Sequence, residues 1–170
     1  MLITLPAIAK DITVTVSDGT NPVASATVTA GTITGTTGSD GKVVLDDVPE
    51  TVTSITATKT GYTSVTESVT IDASHTSFTI TIEPVDTLTV TVDDGTDAIE
   101  GASVKIGTTT KTTGEDGKCT FPDMTFQDYS AEVSATGYTT TTETLSFRSN
   151  HKAFTVSLEA AQEEENPGTE

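Results

Sequence analysis

The chain contains one stretch twice. Asp18-Gly19-Thr20 returns as Asp94-Gly95-Thr96, and Gly38-Ser39-Asp40-Gly41-Lys42 returns as Gly114-Glu115-Asp116-Gly117-Lys118. Gly61-Tyr62-Thr63 returns as Gly137-Tyr138-Thr139, and His75 and Phe78 return as His151 and Phe154. One constant shift of 76 positions relates every pair, so the two copies align without a gap. About 40% of the aligned positions are identical, far above chance for so long a period. A repeat of this length within 170 residues leaves room for two small domains and little else. Each copy, at roughly 75 residues, is near the lower limit for a self-sufficient core.

Threonine alternates with valine, isoleucine or alanine throughout. Ile12-Thr13-Val14-Thr15-Val16 and Leu88-Thr89-Val90-Thr91-Val92 have the period of two that puts apolar side chains inward and threonine outward on a strand. The pattern recurs at Ala26–Ala30, Ile55–Ala57 and Phe78–Ile82. No 3.6-residue period persists, so no helix is expected beyond a short turn near Glu159–Glu165. Asp-Gly pairs at 18–19, 40–41, 94–95 and 116–117 supply turns tolerant of positive φ. Strands are predicted near 11–17, 25–30, 33–37, 42–46, 53–59, 63–71 and 76–83, and again 76 positions later. Seven short strands per copy at this spacing predict an all-β fold: two tandem immunoglobulin-like, Greek-key β-sandwiches. The expected layout is an apolar arm over 1–10, a first sandwich over 11–83, a linker over 84–86, a second sandwich over 87–159, and an acidic tail over 160–170. The short, Pro84-containing linker predicts limited freedom between the copies.

The recurring order is an opening strand, an Ala-x-Val strand (Ala26-Thr27-Val28, Ala102-Ser103-Val104), a Thr-x-x-Asp-Gly-Lys turn (Thr37–Lys42, Thr113–Lys118), and Gly-Tyr (Gly61-Tyr62, Gly137-Tyr138). In this each copy resembles carboxypeptidase-regulatory-like and related immunoglobulin-like modules, over nearly all of 11–159. The resemblance implies a sandwich used as a stalk, an adhesin spacer, an enzyme accessory domain or a decoration on phage particles. Some adhesin modules of similar fold carry an internal Lys–Asn cross-link. That needs lysine on the first strand and asparagine on the last. Ile12–Val16 and Leu88–Val92 contain no lysine, and the last strands no asparagine, so Glu67 and Glu143 are read as ordinary strand carboxylates.

Lys+Arg number 8 and Asp+Glu 25, a net charge of −17 that disfavours nucleic acid and anionic membrane surfaces as partners. The lone cysteine, Cys119, falls on a core-facing position and reads as a small buried hydrophobe. No intrachain disulfide is possible, which leans against an oxidising compartment. Met1–Lys10 is apolar but lacks the basic leader and cleavage pattern of an export signal.

Candidate sites are few. Adjacent carboxylates at Asp93-Asp94 and Asp46-Asp47 are weak calcium candidates, set against the fact that Asp-Gly is ordinary turn chemistry. His75 and His151 stand alone in their copies and read as turn residues. No catalytic residues, nucleophile elbow, phosphate loop or metal-ligand spacing is seen, and no cofactor is expected. Trp is absent, so a sugar-stacking platform is not expected. Leu2, Ile3, Leu5 and Ile8 form an apolar arm that either adds a strand to its own domain or docks on a partner. Together with the missing export signal and disulfide, the arm favours a non-enzymatic virion accessory protein, a head or tail decoration of a bacteriophage. Its expected partners are a major capsid or tail protein, further copies of itself (a homo-oligomer) and host-surface glycan. The alternative is a stalk or adhesin fragment of a prokaryotic cell-surface protein, extracellular in location. A third reading is an accessory module of a secreted carbohydrate-active enzyme.

Overall fold

The computed structural model describes residues 8–162, and every described regular element is a strand. The chain divides into two compact units between Val85 and Asp86. In the first, strands β1 (Ala9–Ser17), β4 (Lys42–Pro49) and β7 (Ser77–Thr81) form a three-stranded sheet in the order β4-β1-β7. Strands β2 (Thr27–Ala30), β3 (Ile33–Thr36), β5 (Ser54–Thr58) and β6 (Val65–Ser68) form a four-stranded sheet in the order β3-β2-β5-β6.

The second unit repeats this plan. Strands β8 (Val85–Asp93), β11 (Lys118–Thr125) and β14 (Ala153–Ser157) make the three-stranded sheet, ordered β11-β8-β14. Strands β9 (Ser103–Ile106), β10 (Thr109–Thr112), β12 (Asp128–Ser134) and β13 (Thr141–Ser146) make the four-stranded one, ordered β10-β9-β12-β13. Each unit is therefore a seven-stranded β-sandwich of three strands on four.

Alternation produces the cores. Ile12, Val14 and Val16 point inward from β1 and are fully buried, against Val28, Ala30, Ile55, Ala57 and Ile80. Leu88, Val90 and Val92 do the same from β8, against Val104, Ala131, Val133 and Val156. The second core is more aromatic: Phe121 and Phe147 stand where the first has Leu45 and Ile71. Phe126 packs on Phe147 with ring centroids 5.1 Å apart. Cys119 is a free, buried thiol whose pKa burial pushes up.

Two features of each unit depart from plain alternation. In β1 the register shifts between Lys10, opposite Val48, and Ile12, opposite Leu45. Asp11 thus faces two residues, Asp46 and Asp47, which is a β-bulge. Asp47 adopts φ 54° there, and its repeat partner Asp123 adopts φ 55°. At the Asp-Gly-Lys turns, Gly41 and Gly117 have φ of 73° and 69°, and a Cβ on either would meet the carbonyl oxygen of Val16 at 2.5 Å or of Val92 at 2.6 Å. Only glycine fits that approach.

The strand ends differ in detail from the sequence pattern. β6 starts at Val65, because Tyr62 instead forms an isolated bridge with Pro84. The helical turn expected near Glu159–Glu165 is not formed over its described part. Ala160 bridges Tyr138, and the Ala161 N–H donates to the Gly137 carbonyl, repeating the bond from Val85 N–H to the Gly61 carbonyl. Residues 163–165 of that segment lie outside the described residues. In the expected linker, Pro84 is bridged to Tyr62, and Val85 and Asp86 open β8.

Candidate functional site

The Asp-Gly turns show where the acidic residues spend their oxygens. Asp94 Oδ1 accepts the Thr96 N–H at 3.0 Å and the Asp97 N–H at 2.8 Å, and these bonds hold its carboxyl below the usual range. Asp18 does the same with Asn21 at 2.6 Å and Thr20 at 2.9 Å, with the same effect. Asp93 accepts the Gly95 N–H at 3.1 Å and the Ser157 hydroxyl at 2.5 Å. Asp46 is exposed, and Asp47 is the bulge residue, its N–H donating to Asp11 Oδ1 at 3.0 Å. The four calcium candidates thus belong to different units, with Asp46 and Asp47 at the β4 bulge of the first and Asp93 and Asp94 at the end of β8 and its turn in the second. Among the described residues no three His, Cys, Asp or Glu side chains converge as metal ligands would. An open depression of about 670 Å³ in the second unit is lined by Asp94, Asp97, Tyr138, Ser157 and Glu159. Tyr138 donates its hydroxyl across it to Asp94 Oδ2 at 3.4 Å.

The two repeat-equivalent histidines have opposite neighbours. His75 Nδ1 lies 2.8 Å from Asp72 Oδ1. The N–H of Ser74, followed by the His75 ring, lowers the Asp72 pKa. The position equivalent to Asp72 is Arg148, which instead reaches Asp128 Oδ1 at 2.7 Å and lowers that carboxyl's pKa. His151 stacks on Phe154, with centroids 4.3 Å apart. Both histidines are exposed.

Thr37 and Thr113 are the buried polar side chains among the described residues, at 4% exposure each. The Thr37 hydroxyl donates to the Val23 carbonyl at 2.7 Å and accepts the Ala26 N–H at 2.9 Å. Thr113 repeats this with Ile99 at 2.7 Å and Ala102 at 2.9 Å. In the sequence both stand only as the start of a turn motif.

The outer face of the β3-β2-β5-β6 sheet is a hydroxyl surface. Cross-strand pairing aligns Thr34, Thr29, Thr56 and Thr66 in one row, and Thr36, Thr27 and Thr58 in the next. Thr56 and Thr66 are 2.8 Å apart, hydroxyl to hydroxyl. The equivalent face of the second unit places Lys105 opposite Glu132 at its centre. Neither row includes an aromatic ring of the kind a sugar would stack on.

No family model and no curated protein matches the chain. Solved structures similar to it include a double mutant of the shaft pilin SpaA from Lactobacillus rhamnosus GG. That match has 12% identity and a TM-score of 0.42 over 91% of this chain and 99% of that one. The Bacillus anthracis TIE protein matches at 15% identity and 0.42 over 89% of this chain, which spans 34% of that protein. GBS52, the minor pilin of Streptococcus agalactiae, matches at 12% and 0.38 over 95% of this chain and all of that one, 100%. Likeness at this level says nothing of what the chain does.

Of the docking-arm residues, Leu2, Ile3 and Leu5 lie outside the described residues. Ile8 is 63% exposed, and its carbonyl accepts the Glu50 N–H at 2.9 Å. Lys10, two residues on, belongs to β1, which starts earlier than the sequence pattern puts it; its Nζ lies 3.8 Å from Glu50.

Proposed function

We propose that the chain is a non-enzymatic spacer, a pair of sandwich modules in the stalk of a prokaryotic cell-surface protein. One observation carries this reading. In each unit the first and last strands are parallel neighbours, β1 with β7 and β8 with β14. A chain threaded in that way enters a unit at one end of its sheet and leaves at the other. Such a module adds length when it is inserted into a chain, whereas an antiparallel first-and-last pair returns the chain to where it started. Polar outer faces support the same reading: threonine rows cover the four-stranded sheet of the first unit, and Lys105 faces Glu132 on that of the second.

Antibody labelling of intact source cells, alongside fractionation of envelope, cytosol and any virus particles, tests this. The stalk reading expects labelling at the outer surface and recovery from the envelope. Recovery only in virus particles, at a fixed ratio to a shell or tail protein, would overturn it. It would support the second reading, a virion decoration. Ile8 favours that reading, because a largely exposed isoleucine just before β1 is what a docking arm would present. Deleting residues 1–9 should then abolish particle binding while both sandwiches stay folded.

A further inference from the structure

The parallel pairing of first and last strands also fixes how each unit meets a pulling force. In the first unit Thr13 to Ser17 of β1 pair in register with Ser77 to Thr81 of β7. The ladder is closed at one end by the Thr13 N–H donating to the Thr76 carbonyl at 2.8 Å. At the other end the Ile82 N–H donates to the Ser17 carbonyl at 2.9 Å. In the second unit Thr89 to Asp93 pair with Ala153 to Ser157. There the Thr89 N–H donates to the Lys152 carbonyl at 2.9 Å, and the Leu158 N–H to the Asp93 carbonyl at 2.8 Å.

Tension applied through the chain pulls β1 toward its start and β7 toward its end. These directions are opposite and lie along the strands. The ladder bonds lie across the strands, so the load shears all of them together instead of opening them singly. The same pull slides β1 along β4, to which it is paired from Ala9 opposite Pro49 to Thr15 opposite Lys42. Sliding also drags Ile12, Val14 and Val16 through a close-packed core.

We propose that each unit is a mechanical clamp, with β1–β7 and β8–β14 as the elements that resist extension of the chain. This deepens the spacer reading and rests on it only for the source of the load. The second clamp carries two polar ties that the first lacks. Asp86 is ion-paired with Lys152 just before the ladder, and Ser157 donates to Asp93 within it. Their repeat equivalents are Lys10 with Thr76, and Ser17 with Thr81.

Single-molecule force spectroscopy on the full chain tests the clamp by changing only the direction of pull. Handles at the two termini load both ladders in shear. Handles on cysteines at Lys10→Cys and Ser77→Cys, in a Cys119→Val background, pull the same ends of β1 and β7 apart and peel that ladder. Terminal pulling should give two ruptures, each releasing roughly 200–250 Å of chain, at several times the force of the peeling geometry. The Asp93→Ala, Asp86→Ala variant, pulled by its termini, should lower one of the two ruptures and leave the other. Equal forces in the two geometries would overturn the clamp, and so would extension without discrete ruptures. A surface-located chain that ruptures at low force would sink the clamp alone. A virion-located chain with direction-dependent rupture would sink the stalk reading alone.

Discussion

At the scale of single residues the duplicated threonines Thr37 and Thr113 hold more than their exposed neighbours do. Each joins the carbonyl and N–H of the loop before the second strand to the turn ahead of Asp-Gly-Lys. Thr113→Val keeps the shape but strands the Ile99 carbonyl and the Ala102 N–H without a partner. A buried unpaired group costs about 1–3 kcal/mol, so with two of them stranded the second unit should lose at least that much by urea unfolding. Thr113→Ser should recover most of it. A valine variant as stable as the parent would show that water replaces the hydroxyl. The sequence marks these two threonines as the start of a repeated turn but not as buried, because threonine occupies most outward positions and its burial depends on a loop folding over it. The aspartate pairs have local roles that adjacency alone does not reveal. Asp47 is beside Asp46 because a bulge needs a residue there at positive φ, and Asp93 and Asp94 are occupied by their own loop. EDTA should therefore leave the melting temperature unchanged in calorimetry, since a cation bound only to the folded state would raise it by linkage. A drop of several degrees would restore a calcium site at these turns.

At the scale of elements, the central strands β1 and β8 are what the fold depends on. Val92 is fully buried between the sheets, and an aspartate there would be a charge with no partner. Such a group costs several kcal/mol, comparable to the whole stability of a domain this size. Val92→Asp should thus abolish the second unit's unfolding transition and leave the first unit's in place, as read by calorimetry or by amide exchange. Two intact transitions would mean that Val92 faces solvent and that the strand register is shifted by one. The strands themselves were legible from Ile12-Thr13-Val14-Thr15-Val16 and its copies, since a period of two leaves one choice of inward face. The parallel β1–β7 pairing was not. Each strand's own pattern is the same whichever neighbour it takes, and that choice is made by contacts some sixty residues apart. The early end of β6 and the bridging of Tyr62 to Pro84 were hidden for the same reason.

At the scale of the whole molecule, charge sets two opposed responses to acid. Asp18, Asp72, Asp86, Asp94 and Asp128 are held below the ordinary aspartate value of 3.8 by local N–H donors, by His75, by Lys152 and by Arg148. Their folded pKa values are depressed, so the unfolded chain takes up protons first. The stability they contribute is full above 3.8 and is lost as the pH falls through their lower folded values. Asp94 and Asp128 are exposed and Asp18, Asp72 and Asp86 are only partly covered, so solvent screens each contribution to a small one and the five act together. Against them stands the net charge of −17, whose self-repulsion opposes compaction at neutral pH and fades as protons are taken up. The melting temperature should therefore rise as the pH falls from 7 toward about 4.5, where carboxylates begin to protonate, and then fall below 3.8. Salt separates the two causes. Raising ionic strength screens exposed charges and should lift the melting temperature at pH 7 while flattening the upper limb. A melting temperature that keeps rising below pH 3 would show that the turn hydrogen bonds do not depend on ionised aspartate. Indifference to salt at pH 7 would show that threonine-rich surfaces keep the carboxylates too far apart for their repulsion to reach the fold.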